Sequence, residues 1–187
     1  MSMTHQTFAL TSILLLLLTL STRTSQAEPS LLVVGIEDGD TLVVEIDGKT
    51  ERLQLAGIDA PEAVENAKLR HDINRSGLPQ ARLLQLGQLA TEHLATLVTK
   101  GGFLQLIDPL GIKDRYGRIE ALVISKGPLS LSAQMVKDGF AIALRHHAPN
   151  SPLKSQLIKL EQQAIEQQKG LWGSARSEAF AWRDQNI

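Results

Sequence analysis

Residues 37–62 read EDGDTLVVEIDGKTERLQLAGIDAPE. Thr41 to Ile46 is rich in β-branched and apolar residues, Asp47-Gly48 is a tight-turn pair, and Thr50 to Ala56 extends again, so the stretch predicts a β-hairpin. In the second arm Leu53 and Leu55 alternate with Arg52, Gln54 and Ala56, which sends the leucines to the core and the polar set to the other face. A hairpin returns its ends to each other. Asp40, just before the first arm, therefore meets Asp59 and Glu62, just after the second. Pro61 stops the strand and suits the first position of a short helical turn.

Outward from the hairpin, Leu31 to Glu37 reads as a preceding strand. Ala63 to Leu78 is polar and charged and carries Ser76-Gly77, which predicts a helical turn followed by a mobile loop. Pro79 to Val98 repeats leucine and alanine at steps of three and four, as a long helix does. Phe103 to Ile107 and Ile119 to Ser125 read as two more strands around a polar loop, Asp108 to Gly117. A short helix is expected over Ser130–Asp138, stopped by Gly139. A longer one starts at Ser151-Pro152, ends at Gly170, and leaves Leu171-Trp172 to pack back on the body. The pattern predicts an α+β fold: a five-stranded barrel of the oligonucleotide-binding type (OB-fold) with about three packed α-helices.

The chain has 187 residues, enough for one domain with its own core. Phe8 to Leu20 is almost wholly apolar, and Ser25 and Ala27 are the small residues that precede a cleavage point, so residues 1–27 read as a secretory signal. No Lys or Arg precedes the apolar run, which leaves an uncleaved anchor as the other reading. Residues 28–187 then form a single domain with its core at about 31–173, periplasmic or secreted. The chain has no cysteine, which excludes lipid attachment through cysteine, disulfides and Cys-ligated zinc. Removing the signal takes away Arg23 and no acid, shifting the net charge from −1 to −2. Bulk charge thus does not mark a nucleic-acid binder, and any phosphate-binding surface is local.

Oxygen ligands without cysteine or clustered histidine favour a hard cation, Ca²⁺ or Mg²⁺, and Asp40 and Asp59 supply two carboxylates. An EF-hand loop is excluded, because Leu42 and Val43 stand where it needs an acid and a glycine. Asp114-Arg115-Tyr116-Gly117-Arg118 enters the last strand. An arginine there can bind two oxygens of a metal-bound phosphate and stabilise transition-state charge; the plainer reading is a polar loop with a surface arginine.

Taken together, DGDT, IDAPE, DRYGR and GLW, in this order, resemble the staphylococcal nuclease (thermonuclease) family from about Leu31 to Trp172. The resemblance implies the OB-fold barrel with three helices and Ca²⁺-dependent endonucleolytic hydrolysis of DNA and RNA, single strands preferred. It places Asp40 and Asp59 as Ca²⁺ carboxylates, Ala60 as a ligand through its backbone carbonyl, Glu62 as general base on the attacking water, and Arg118 on the phosphate. Arg115, Tyr116, Gln54, Arg145 and His147 fall in substrate-binding positions. No stable protein partner or membrane contact after signal cleavage is implied, and the protein is expected to be a monomer.

Two features depart from the family pattern. Gln54 stands where a second active-site arginine is usual, and an amide cannot form a charged bidentate clamp. Losing such a donor costs roughly 100- to 1000-fold in rate, and Arg52, two residues earlier on the same strand face and about 7 Å away along it, is a candidate substitute. Where the family often carries base-stacking aromatics, this chain has Arg145, His146 and His147. The alternative is therefore a module of the same fold that binds nucleic acid or protein with little or no catalysis.

Overall fold

Asp47 and Gly48 take φ values of 50° and 76°, the left-handed pair that a two-residue hairpin needs. They join β2 (Thr41–Ile46) to β3 (Lys49–Leu55), in register from Thr41 opposite Gln54 to Ile46 opposite Lys49. β1 (Leu31–Ile36) pairs antiparallel with β2, with a shift in register between Val33 and Gly35. The computed structural model describes residues 30–146 and 151–184. The expected signal segment 1–27 and His147 lie outside the described residues.

After the hairpin come β4 (Ile58–Asp59), α1 (Ala67–Ser76) and α2 (Gln80–Leu97). β5 (Phe103–Leu106), β6 (Arg118–Ala121) and β7 (Val123–Ile124) follow. The chain continues through α3 (Leu131–Lys137), β8 (Ile142–Ala143), α4 (Pro152–Glu166), α5 (Leu171–Ser174) and α6 (Arg176–Arg183). The large sheet has the order β6-β3-β2-β1-β5-β7. β6 and β7 are halves of the one strand expected at 119–125. The first half pairs parallel with β3 and the second antiparallel with β5. The sheet thus returns on itself through a single run of chain, which is how a small barrel removes its edges. The expected α+β OB-type barrel is the observed architecture.

Period-two alternation sets the barrel core. Leu31, Val33, Leu42, Val44, Leu53 and Leu55 are buried, while Arg52 and Gln54 lie on the other face of β3 and are half-buried. Each fully buried leucine stabilises the fold by roughly 1.5–3 kcal/mol.

The helices differ from expectation in number and in one place that matters. α2, α3 and α4 are the three expected. Ala63–Leu78 is not a turn and loop: α1 occupies 67–76, with the Asn66 side chain accepting from the Leu69 amide and Gly77 ending it at φ 69°. Pro61 lies before this helix and starts no turn of it. The signal was there, an asparagine cap and a glycine stop, but polar composition masked it. α5 and α6 were not expected as helices. With α1 and α2 they build a second apolar cluster around Leu69, Leu83, Leu86, Trp172 and Trp182, so Leu171-Trp172 packs back as expected.

α6 is also tied to α2 by charge: Arg82 Nη2 donates to Glu178 Oε1 at 2.5 Å, and this bond holds the Glu178 carboxyl down at about 2. A carboxyl depressed on folding stabilises above its unfolded value near 4.5, and that contribution is lost as pH falls toward 2. Glu178→Gln should therefore lower stability above pH 5, by at most about 1 kcal/mol because the pair is partly solvated. The difference from the parent should vanish near pH 2 in thermal melts; an equal gap at both pH values would exclude the pair as its cause.

Candidate active site

The hairpin does bring its ends together. Ala60 N donates to Asp40 Oδ2 at 2.9 Å, Thr41 Oγ1 donates to Asp40 Oδ1 at 2.8 Å, and Asp40 N donates to Asp38 Oδ1 at 3.0 Å. β4 is pinned to β8, Asp59 opposite Ile142, which fixes the direction from which Asp59 enters. Asp38, Asp40, Asp59 and Glu62 are all buried.

Small residues on α2 form the floor. A methyl group on Gly87 would stand 2.1 Å from the Glu62 carbonyl oxygen, and one on Gly39 would stand 2.6 Å from Ala90 Cβ and 2.8 Å from Ala60 Cβ. Gly87 and Ala90, one helical turn apart, let α2 lie directly beneath both acid-bearing segments. The helical period predicts that these two share a face, and nothing in the sequence says what the face supports.

Lys68 is the residue that sequence reasoning missed. From the first turn of α1 its Nζ reaches Asp59 Oδ1 at 3.1 Å, Glu62 Oε1 at 3.1 Å, Asp72 Oδ2 at 3.3 Å and the Ala60 carbonyl at 3.2 Å. Asn66, the cap of α1, donates through Nδ2 to Glu62 Oε2, so the helix start and the acid hold each other. Asp72 in turn accepts from Trp182 Nε1 at 3.1 Å. The only local trace of this network is the Lys68–Asp72 spacing of one helical turn.

The site's electrostatics follow from so many acids out of water. Burial, then the neighbouring Asp40 and Glu62, push the Asp38 carboxyl up to about 8. Burial raises Asp59 to about 7, with Lys68 opposing and Asp40 reinforcing the rise. For Lys68 burial acts against the charge, but Asp59, Glu62, Asp72 and Asp40 more than offset it and hold the ammonium charged.

The donor set suits a hard cation: carboxylates of Asp40 and Asp59 and the carbonyl of Ala60. Among the described residues no group of three or more His, Cys, Asp or Glu side chains already stands arranged for a metal ion. The positive charge that these oxygens call for is supplied by the Lys68 ammonium, a stand-in cation in contact with two of the three expected ligands.

Arg118 opens onto the same place. One cleft of about 230 Å³ is lined by Gln54, Asp59, Lys68, Arg118 and Glu120 among others. A second of about 270 Å³ is lined by Asp38, Arg52, Glu62, Lys68, Tyr116 and Arg118 among others. Lys68 and Arg118 are in the walls of both. Asp114 fixes Arg118, accepting from its Nε at 3.0 Å and lying 2.9 Å from its Nη2. The Asp114 carboxyl is itself kept below the usual carboxylate range: burial would raise it, and hydrogen bonds from Arg118 and Tyr116 outweigh that.

The remaining expected residues fall in different places. Gln54 is in the first cleft, its side-chain oxygen buried without a hydrogen-bond partner. Arg52 lies beside Arg118 in the strand register, but its guanidinium is taken up by Glu37 and donates to the Tyr116 carbonyl at 2.8 Å. It holds the 114–118 turn and does not stand in for an arginine at position 54. Tyr116 is half exposed, with the Arg115 and Arg118 guanidinium carbons 4.8 and 5.3 Å from its ring centre. Arg145 is drawn away to Glu161 and donates to the Ala143 carbonyl at 3.1 Å.

The family described as staphylococcal nuclease homologue matches residues 52–174. The thermonuclease of Staphylococcus hyicus is 27% identical, over 79% of this chain and 78% of its own. The micrococcal nuclease of Shigella flexneri is 31% identical, over 81% and 78% respectively. An uncharacterised protein of Methanocaldococcus jannaschii is 27% identical, over 75% and 70%.

Proposed function

This chain belongs to the staphylococcal nuclease homologue family, and from that premise we propose that it is an exported, Ca²⁺-dependent phosphodiesterase that cleaves DNA and RNA internally. The observation that carries the reading is that Asp59 and Glu62 line two adjoining clefts that share Arg118, with the buried Asp40 tied to the same segment through the Ala60 amide. A divalent cation held by Asp40, Asp59 and the Ala60 carbonyl would supply the charge that polarises a phosphoryl group. Glu62 takes the proton of the attacking water, its carboxylate oriented by Asn66. Arg118, aimed by Asp114, faces the phosphate oxygens as charge develops on them. Tyr116, in the wall of the second cleft, and Arg115 beside its ring suit contact with a base or sugar.

The purified protein should cleave single-stranded DNA and RNA with Ca²⁺ and lose the activity in chelator. A folded protein without cation-dependent cleavage would overturn the reading.

Gln54 favours a weakened form of this enzyme, or a binding module in the limit. It offers a neutral amide where charge stabilisation is wanted, and its oxygen has no partner. Gln54→Arg should raise the hydrolysis rate roughly tenfold or more, since the new guanidinium would enter a cleft that already holds Asp59 and Glu120. Comparing rates of the two proteins at equal melting temperature checks it; no gain would point to the binding module.

A further inference from the structure

We propose that Lys68 is a tethered counter-ion which a divalent cation must displace, so that this lysine sets the cation concentration at which the site loads. The inference rests on the cation-dependent reading above and concerns a residue which that reading leaves without a task.

The ammonium and an incoming cation compete for the same oxygens. Lys68 Nζ is 3.1 Å from Asp59 Oδ1 and 3.2 Å from the Ala60 carbonyl, two of the three groups proposed to hold the metal, and 3.1 Å from Glu62. A monovalent charge left at that distance would oppose a divalent one. The contact is built in: Asn66 caps α1 and holds Glu62 at once, which places the start of the helix, and with it the lysine stem, against the acids.

The structure also provides a place for the lysine to go. The ammonium also meets Asp72 Oδ2 at 3.3 Å and lies 5.8 Å from the centre of the Trp182 ring. Asp72 is buried and fixed by the Trp182 indole N–H. Lys68 thus bonds at once to two acidic poles, the site carboxylates Asp59 and Glu62 and the buried Asp72. Cation entry shifts it toward the second. The resting protein gains from the arrangement, because Asp59 and Glu62 are not left buried without positive charge.

Competition of this kind predicts effects of opposite sign. Lys68→Gln removes the competitor and should tighten calorimetric Ca²⁺ binding by about tenfold or more. Asp72→Asn removes the pole to which the lysine withdraws and should weaken Ca²⁺ binding severalfold. Without cation the Lys68→Gln protein should melt below the parent, and saturating Ca²⁺ should close that gap. A purely structural lysine would lower stability in both conditions and leave affinity unchanged or reduced.

Unchanged or weaker Ca²⁺ binding by folded Lys68→Gln, beside a parent that binds, overturns this inference alone. If Lys68→Gln does not fold, Asp72→Asn decides: equal or tighter binding overturns the inference. A folded parent that gives no Ca²⁺ binding heat defeats the cation reading, and the inference falls with it.

Discussion

Replacing Glu62 by glutamine should lower hydrolysis of DNA and RNA by about 10²- to 10⁴-fold while the protein stays folded. The substitution keeps the shape of the side chain and removes its ability to take a proton. The surroundings tolerate the change: Asn66 Nδ2 and Lys68 Nζ both donate to the carboxylate, and an amide oxygen still accepts one of these bonds. Lys68 retains Asp59 and Asp72, so its charge is not left alone. The loss should therefore appear in the rate at saturating substrate more than in substrate affinity. Rates measured beside the parent, with melting temperatures for both, decide the matter. Activity within a few-fold of the parent would remove Glu62 from the chemistry and leave it as a partner of Lys68.

Gly87→Ala should be nearly as damaging, through geometry alone. Its methyl group would fall 2.1 Å from the Glu62 carbonyl oxygen, 2.2 Å from the Glu62 carbonyl carbon and 2.6 Å from the Ala63 amide nitrogen. Each of these atoms is backbone, so no side-chain rotation relieves the clash. Either α2 retreats or the 61–63 segment lifts. Overpacking of this kind costs about 1–3 kcal/mol, and a displacement near 1 Å at a reacting group can cost about 100-fold in rate. Alanine is the better helix former, so on propensity alone the change would stabilise. A protein that melts at or above the parent temperature with full activity would show that α2 does not support the acid. Ala90, one turn on and 2.6 Å from where a Gly39 methyl would stand, is the matching contact beneath Asp40.

The acids and the barrel were legible for the same reason: their information is local. The φ > 0 pair Asp47-Gly48 and the alternation of Leu53 and Leu55 with Arg52 and Gln54 specify the hairpin within a dozen residues, and the hairpin carries Asp40 to Ala60. The long helix, the short helix over 131–137 and the helix from Pro152 were legible through cap, stop and periodicity. α1 was missed because polar and charged residues make up most of it and only Leu69 and Asp72 are buried. A weak apolar stripe gives helix reasoning little to hold. α6 was missed for a similar reason, since its buried Ala179 and Trp182 matter only once packed in the cluster with α1, α2 and α5.

By itself, then, the chain determined the hairpin, the closing strand, the acidic trio and the arginine motif, all of which depend on residue type at short spacing. Only the tertiary structure decided what surrounds them. It placed Lys68 among acids contributed by the β4 segment and α1, sent Arg52 to Glu37 and Arg145 to Glu161, and made Gly87 the floor beneath Glu62. These are long-range pairings or approaches of backbone to backbone. A lysine's identity says that it carries charge. Which buried carboxylates it neutralises is set by how the barrel and the helices close on one another, and no local pattern encodes that.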